Sequence, residues 1–223
     1  VAPVVGPADI PRPAQVLPGT RLVEVTCLDD SLLRAVRAAA PAAVLGLRVP
    51  MGPGATRSIM HALDAGVSVA HLEADLHGRG TDGAFAPDHI RAVHSALVEA
   101  GCRDQVTLLA GGGFILAEHV AKGILCGLDA VAIDTAVLVA LQGRMEGESR
   151  SREASRFSLP EASVDWAAAR ILNLLAAWHD QLLELMGAMG LREVRRMRGE
   201  TGRIMFQSDL EQEAFSGIAG YDP

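Results

Sequence analysis

The chain has 223 residues, of which 49% are hydrophobic and 21% charged, so it can bury a sizeable core and falls in the ordinary globular class. Its formal net charge is −7, aromatic residues make up 4%, and no run of Lys and Arg stands out. A surface that follows phosphates or stacks on bases is therefore not expected, which argues against nucleic acid as a partner.

The sequence also argues against a membrane segment, a metal site and a disulfide scaffold. The apolar stretches are broken after about 15 residues, short of the ~20 that cross a bilayer, and the amino terminus lacks a basic region followed by an apolar core. Cys27, Cys102 and Cys126 are far apart and odd in number, which fits reduced thiols. We therefore expect a cytoplasmic protein with no membrane partner and no bound metal.

Proline is frequent at the start of the chain, and it disfavours helix interiors and central strands. Residues 1–20 are therefore predicted to form an extended lead-in. From there on, apolar strand-like runs alternate with helical runs, three of which end in glycine. The predicted strands lie at 21–28, 43–49, 68–75, 105–110 and 130–133, and the predicted helices between them at 31–40, 55–65, 87–100 and 117–126.

This alternation predicts an α/β fold. Strands such as residues 106–110 are continuously apolar, as a parallel sheet covered on both faces requires. Residues 21–142 are predicted to form a partial (β/α) TIM barrel of about five parallel strands, since a complete eight-stranded barrel needs about 250 residues. Either the chain is a fragment, or its missing strands come from another polypeptide.

The carboxy-terminal part has a different pattern. Residues 143–160 are predicted to be a loop and residues 161–223 a helical extension. A long helix begins near Ser163, and apolar residues recur at helical spacing from Ile171 to Met189, which predicts a stripe that is core or interface.

Glycines follow one of the predicted strands directly. Gly111, Gly112 and Gly113 come just before a helix, where the backbone can approach an anion and the helix start supplies N–H donors. A plain tight turn is the alternative. At the next strand-to-helix junction, Thr135 could donate to a phosphate, but Asp134 is expected to cap the helix and to compete for the same donors.

The loop at 73–83 also has the glycine content of a backbone cradle. Gly78 and Gly80 flank Arg79, whose guanidinium could bind a phosphate. His77 is a candidate acid or base, with a surface or capping role as the alternative. Arg48 is a charge on an otherwise apolar strand, so it should point into the barrel mouth or pair with a carboxylate.

Six segments carry a similarity to one known family, at 103–113, 117–136, 138–142, 169–179, 184–190 and 193–199. Together they resemble the FMN-binding domain of glutamate synthase large subunits, and most closely an archaeal-type branch with an iron–sulfur cluster after the last barrel strand. The resemblance covers about residues 42–220. It implies a TIM barrel that holds FMN and contributes to glutamate biosynthesis by reducing an iminium, formed from ammonia and 2-oxoglutarate, with hydride from the flavin.

Carried over by position, residues 111–113 and 134–135 would hold the FMN phosphate, with residues 78–83 beside it. Arg48 stands where related flavin barrels often place a lysine near the flavin ring, and a guanidinium is essentially never deprotonated.

The chain departs from the family in its cluster-binding segment. Gly143, Glu146, Ser149 and Ser155 stand in the approximate places of the cysteines, so no iron–sulfur cluster is expected. The amino-terminal half of the flavin site, the glutaminase module and the electron-donor module are also missing.

Two functional hypotheses remain open. The first is an FMN-dependent oxidoreductase domain of glutamate synthase type that is incomplete on its own. The second is a non-catalytic, degenerate barrel half that serves as a binding or assembly element. In both cases exposed strand edges predict self-association or a partner that supplies the missing strands.

Overall fold

The fold is built around one parallel sheet. A computed structural model describes residues 2–9, 19–147, 155–200, 212 and 216 of the chain. Six strands lie side by side in chain order, every neighbouring pair is parallel, and the sheet is not closed. The strands are β1 (Val4–Val5), β2 (Leu22–Val25), β3 (Val44–Pro50), β4 (Val69–Glu73), β5 (Thr107–Gly111) and β6 (Ala130–Val131).

Helices connect the strands from β2 onward, which confirms the predicted βα alternation. The first helices are α1 (Asp30–Ala39), α2 (Ala55–Asp64), α3 (Ala86–Glu99), α4 (Ala117–Leu125) and α5 (Thr135–Ala140). Their ends follow local sequence. Asp29 caps α1 by accepting hydrogen bonds from the backbone N–H groups of Ser31 and Leu32, and Gly101 follows α3 with a positive φ of 69°. The architecture is an α/β sheet compatible with a partial TIM barrel.

The two faces of the sheet differ in composition. Alternate residues such as Val23, Leu72 and Leu108 are fully buried in the main hydrophobic core, to which α1, α2 and α3 also contribute. The opposite face, which we call the inner face, carries Glu24, Arg48 and His71 on neighbouring strands. It also leaves Val44 47% exposed. The inner face is therefore only partly covered by the described residues, since Glu24 and His71 are 3% and 4% exposed while Val44 is not covered.

The lead-in contributes a strand that the sequence did not predict. Val4 and Val5 pair with Glu24 and Val25 of β2, which raises the strand count from about five to six. The prolines flank these two residues and β1 lies at the edge of the sheet, so no ladder hydrogen bond is lost to proline. Residues 10–18 of the lead-in lie outside the described part of the chain.

A hairpin occupies part of the segment predicted to be a loop. Strands β7 (Arg144–Gly147) and β8 (Ser155–Ser158) pair antiparallel, with Met145 opposite Phe157. Each strand has only four residues, too few to give a clear alternation of apolar and polar positions.

A single long helix, α6 (Val164–Ala188), dominates the carboxy-terminal extension. Part of its apolar stripe is buried in the chain's own core. Trp178 packs with Ala117 and Ala136, and Met186 packs with α4. Leu175 and Leu185 remain 45% and 37% exposed. None of the helices in the described part of the chain is long and apolar enough to cross a membrane. Most of the extension beyond residue 200 lies outside the described residues.

Candidate functional site

A chain of ion pairs crosses the inner face from β2 to β4. Arg48 donates from Nε to Oε2 of Glu24 at 2.7 Å and from a terminal nitrogen to Oε1 of Glu73 at 2.9 Å. The prediction that Arg48 pairs with a carboxylate is confirmed, and it pairs with two. A guanidinium shared between two carboxylates is fixed in position and largely neutralised, so it can orient neighbouring groups more readily than it can bind a free anion.

His71 extends this network and was missed by the sequence reading. Its Nδ1 lies 2.9 Å from Oε1 of Glu24, and the histidine is only 4% exposed. The available signal was its position on β4 in register with Arg48 on β3, which places both side chains on the inner face. Its Nε2 is buried and has no hydrogen-bond partner among the described residues.

The network keeps Glu24 ionised. Burial alone would raise the pKa of this carboxyl group, but the hydrogen bonds from His71 and Arg48 outweigh burial and hold the pKa below its usual value. The inner face thus carries a fixed negative charge that is paired on both sides.

The Gly111–Gly113 run lies at the carboxyl end of β5 and the following turn, as predicted. A Cβ at Gly111 would lie 2.8 Å from Nε2 of His71. A Cβ at Gly112 would lie 2.3 Å from the carbonyl oxygen of Ala74, and one at Gly113 would lie 2.6 Å from the backbone of Gly78. Each glycine is therefore required by contacts within the chain, and the run alone is not evidence for a bound phosphate.

The starts of the next two helices differ in what they offer an anion. Asp134 accepts a hydrogen bond from the Thr135 backbone N–H at 2.5 Å and contacts the Thr135 hydroxyl at 3.1 Å. The capping interpretation of Asp134 is thus confirmed at α5. Leu116, the N-cap of α4, has an apolar side chain that cannot accept from the first N–H groups of that helix. The start of α4 is therefore the better place for a phosphate.

The β4–α3 loop is held mainly by its own contacts. Asp75 accepts hydrogen bonds from the backbone N–H groups of His77 and Arg79, both at 2.8 Å. Arg79 stacks its guanidinium 4.0 Å from the centre of the Phe85 ring and donates to the carbonyl of Gly83. Its charge is thus directed to the loop itself.

The other predicted residues of this loop are packed differently. Gly80 must lack a side chain, because a Cβ there would lie 2.5 Å from Nε2 of His89. Gly78 touches Gly113, so the loops after β4 and β5 meet at this edge of the sheet. His77 lines a cavity between α3 and α4.

Comparison with known proteins decides the family. The model of the conserved region in glutamate synthase matches residues 86–192, which include α3, β5, α4 and the whole of α6. An archaeal glutamate synthase [NADPH] of Methanocaldococcus jannaschii is 33% identical over 126 residues, 52% of this chain and 24% of that protein. The chain carries a domain of the glutamate synthase family.

Two further relatives agree with this assignment. An archaeal glutamate synthase [NADPH] of Archaeoglobus fulgidus is 30% identical over 140 residues, 59% of this chain and 27% of that protein. An archaeal-type glutamate synthase [NADPH] of Thermotoga maritima is 27% identical over 165 residues, 67% of this chain and 31% of that protein. The chain thus matches less than a third of the length of each of these relatives.

The described residues fit the phosphate end of FMN in part. The loops after β4 and β5 meet beside α4, whose start has no side-chain cap, and these are features of an anion site. The Asp134 carboxylate already occupies the first donor of α5. A phosphate would therefore be held by the Gly112–Gly113 turn and the start of α4, with Thr135 in a minor role.

Proposed function

We propose that this chain is part of a glutamate-synthase-like, FMN-dependent oxidoreductase domain and is incomplete on its own. The observation that carries the proposal is the family match over residues 86–192, which includes β5, its glycine turn and the uncapped start of α4. The parallel sheet of the described residues, which has no further strand at either edge, supports the second half of the proposal. As the resemblance implies, FMN would supply hydride for the amination of 2-oxoglutarate.

The roles of the chain's own residues follow from their contacts. The backbone N–H groups of the Gly112–Gly113 turn and of the α4 start would bind the phosphate. Arg48, held by Glu24 and Glu73, would position the flavin ring and would not exchange a proton. His77, at the loop after β4, is the candidate acid or base in this proposal.

A partner, or a longer polypeptide of which these residues are a part, would supply the missing barrel strands. In the described part of the chain, six strands in sequential order leave β1 and β6 as edges without a further neighbour, and a barrel of this type has eight strands. The added strands would pair with these edges and cover the inner face. In keeping with the three unpaired cysteines, we place the protein in the cytoplasm.

Flavin binding tests the proposal directly. Titration of the full chain with FMN and with riboflavin, followed by quenching of flavin fluorescence, should give binding that is at least about tenfold tighter for FMN, because only FMN carries a phosphate. Binding of neither flavin would contradict the proposal.

A variant at the start of α4 locates the phosphate. Leu116 is 51% exposed, so replacing it should leave the fold intact. Leu116→Asp places a carboxylate on the helix donors and should abolish the preference for FMN over riboflavin. Leu116→Ala introduces no side chain that can cap the helix, so this variant should keep the preference for FMN over riboflavin. An unchanged preference in Leu116→Asp would move the phosphate site away from α4.

The alternative function is that of a non-catalytic barrel half, and specific contacts favour it. Arg48 is already paired with two carboxylates, Asp134 caps α5, and the glycine run is explained by packing. We also propose that no iron–sulfur cluster is bound. Iron and sulfide that remain bound after anaerobic reconstitution and desalting would overturn that part of the proposal. A folded, colourless protein that ignores FMN would favour the non-catalytic alternative.

A further inference from the structure

A second site is suggested by a cavity in the helix layer, between α3 and α4. Its volume is about 230 Å³, and the loops after β4 and β5 border it. The apolar lining includes Phe85 and Ile90 from the α3 side and Phe114 from the α4 side, while His77, His119 and Lys122 supply the polar groups. The cavity is smaller than the roughly 300–1,000 Å³ typical of sites for drug-sized molecules, which restricts it to a compact occupant.

The charge of the lining favours an anion. No Asp or Glu lines the cavity, whereas two histidines and a lysine do. Lys122 is the only lysine in the sequence, where the other basic residues are arginines. Its ammonium group contacts Glu118 at 3.2 Å, but both side chains are more than half exposed, so the pair is weak and can exchange for a ligand.

His119 is arranged as a donor. The backbone N–H of Ile115 donates to its Nδ1 at 3.2 Å, which makes that nitrogen the acceptor and leaves the ring proton on Nε2. Oε1 of Glu118 lies 4.0 Å from this Nε2 and 3.2 Å from the Lys122 ammonium group, so a ligand carboxylate would take the place that the half-exposed Glu118 side chain now holds between the two donors. A single full positive charge, that of Lys122, matches a monoanion better than a dianion.

We propose that this cavity binds a compact carboxylate with an aromatic or branched apolar body. The apolar part packs against Phe85, Ile90 and Phe114, and the carboxylate is held by Lys122 and His119 with His77 nearby. This site goes beyond the proposed flavin function. Gly112 and Gly113, the turn proposed for the flavin phosphate, also border the cavity, so the two sites adjoin. The carboxylate site differs in its apolar lining and in its use of Lys122.

Three small probes separate the parts of this proposal in calorimetric titrations of the full chain. Benzoate has both the ring and the charge, benzyl alcohol has the ring alone, and inorganic phosphate has charge without an apolar body. Benzoate should bind at least about tenfold more tightly than either of the others, since each lacks one of the two contacts.

Matched variants assign the binding to the cavity. Lys122→Gln should weaken benzoate about tenfold, the loss expected for one charged contact. Arg91→Gln removes a cation from α3 outside the cavity and should change nothing. Because the chain has one lysine, benzoate should also protect Lys122 from an amine-reactive acylating reagent, which peptide mass spectrometry measures at that residue alone.

Clear outcomes would overturn the proposal. They are equal binding of benzoate and benzyl alcohol, equal losses in Lys122→Gln and Arg91→Gln, no protection of Lys122, or no benzoate binding at millimolar concentration. Loss of flavin binding alone would leave this site standing, since none of these measurements uses FMN.

Discussion

Gly112 is the residue at which packing and function are hardest to separate. Its φ is 90°, and its Cα faces the carbonyl oxygens of Ala74 and Asp75. A run of three glycines after a strand predicts a phosphate loop, yet here the same glycines let two loops approach each other closely. The sequence pattern could not distinguish these roles, because both require a backbone without a side chain.

We therefore predict that Gly112→Ala is strongly destabilising. The new Cβ would lie 2.3 Å from the Ala74 oxygen, so both overpacking and a left-handed backbone contribute, together about 2–5 kcal/mol. Gly54→Ala is the matched control, because Gly54 has a φ of 98° and open space around its Cα. It should cost about 1–2 kcal/mol in urea unfolding. Equal losses in both variants would show that the loop contact contributes nothing.

Glu24 gives a prediction for pH. The folded-state pKa of Glu24 is lower than that of the unfolded chain, so its charge adds stability that is complete above about pH 4.5 and is lost as the pH falls through the folded value. Glu24→Gln should lower the free energy of unfolding at neutral pH. The difference from the wild type should shrink on acidification, because protonation of the wild-type carboxyl removes the same contribution.

Urea unfolding at about pH 7, 5 and 3 measures this effect. The exposed Glu99 provides a control, since Glu99→Gln removes a surface carboxylate and should change the free energy of unfolding little. A Glu24→Gln difference that stays constant with pH would mean that the charge is not coupled to Arg48 and His71 in solution.

At the scale of elements, a charged cluster separate from the Glu24–Arg48–His71 network attaches the carboxy-terminal extension to the parallel sheet. Arg103 is 5% exposed and donates to His94, to the carbonyls of Val106 and Gly127, and to Asp129. Arg198, just after a 3₁₀ turn at 194–197, contacts Asp129 at 2.6 Å and Asp104 at 2.9 Å. The Asp129 carboxylate thus joins the β5–β6 region to Arg198 in the extension.

The two arginines should differ in their contribution to stability. Arg103→Leu leaves Asp129 without its buried partner and two carbonyls without donors, and should cost about 3–5 kcal/mol. Arg198→Leu removes a more exposed partner while Arg103 still holds Asp129, and should cost about 1–2 kcal/mol. Hydrogen exchange should show faster opening of residues 193–200 in Arg198→Leu only. Equal losses of stability would contradict this ranking.

Sequence periodicity predicted the elements well where they are long and buried. The strands at 44–50 and 69–73 and the helix at 164–188 were found to within a few residues, because continuous apolar runs and the 3.6-residue period are strong local signals. Strand β1 and the β7–β8 hairpin were missed, since two or four residues give no period. His71 was missed for another reason: its importance comes from strand register, which only the folded sheet reveals.

At the scale of the whole molecule, the open sheet is the central fact. Strand β1 at one edge and β6 at the other have no further neighbour among the described residues, and the inner face exposes Val44. Trp178, in the stripe predicted to be core or interface, is 7% exposed and packed against α4 and α5 within the chain. This residue is therefore part of the chain's own core.

The remaining exposed apolar side chains indicate where the chain would associate. Leu172, Leu175 and Leu183 are 66%, 45% and 52% exposed on one side of α6, where they form a second stripe beside the one that packs. Open strand edges and an exposed apolar stripe are both unfavourable in a monomer. We predict that the chain self-associates when no partner supplies the missing strands.

Light scattering during size exclusion at micromolar concentration tests this prediction. The mass should exceed 23.4 kDa, and Leu172→Ser combined with Leu183→Ser should lower it if the stripe on α6 is the contact. Gln181→Ser, on the opposite side of the helix, is the matched control and should leave the mass unchanged. Association that survives the double substitution would point to the strand edges, because these pair through backbone groups that side-chain changes on α6 do not reach. A stable monomer of 23.4 kDa would contradict the prediction for both surfaces.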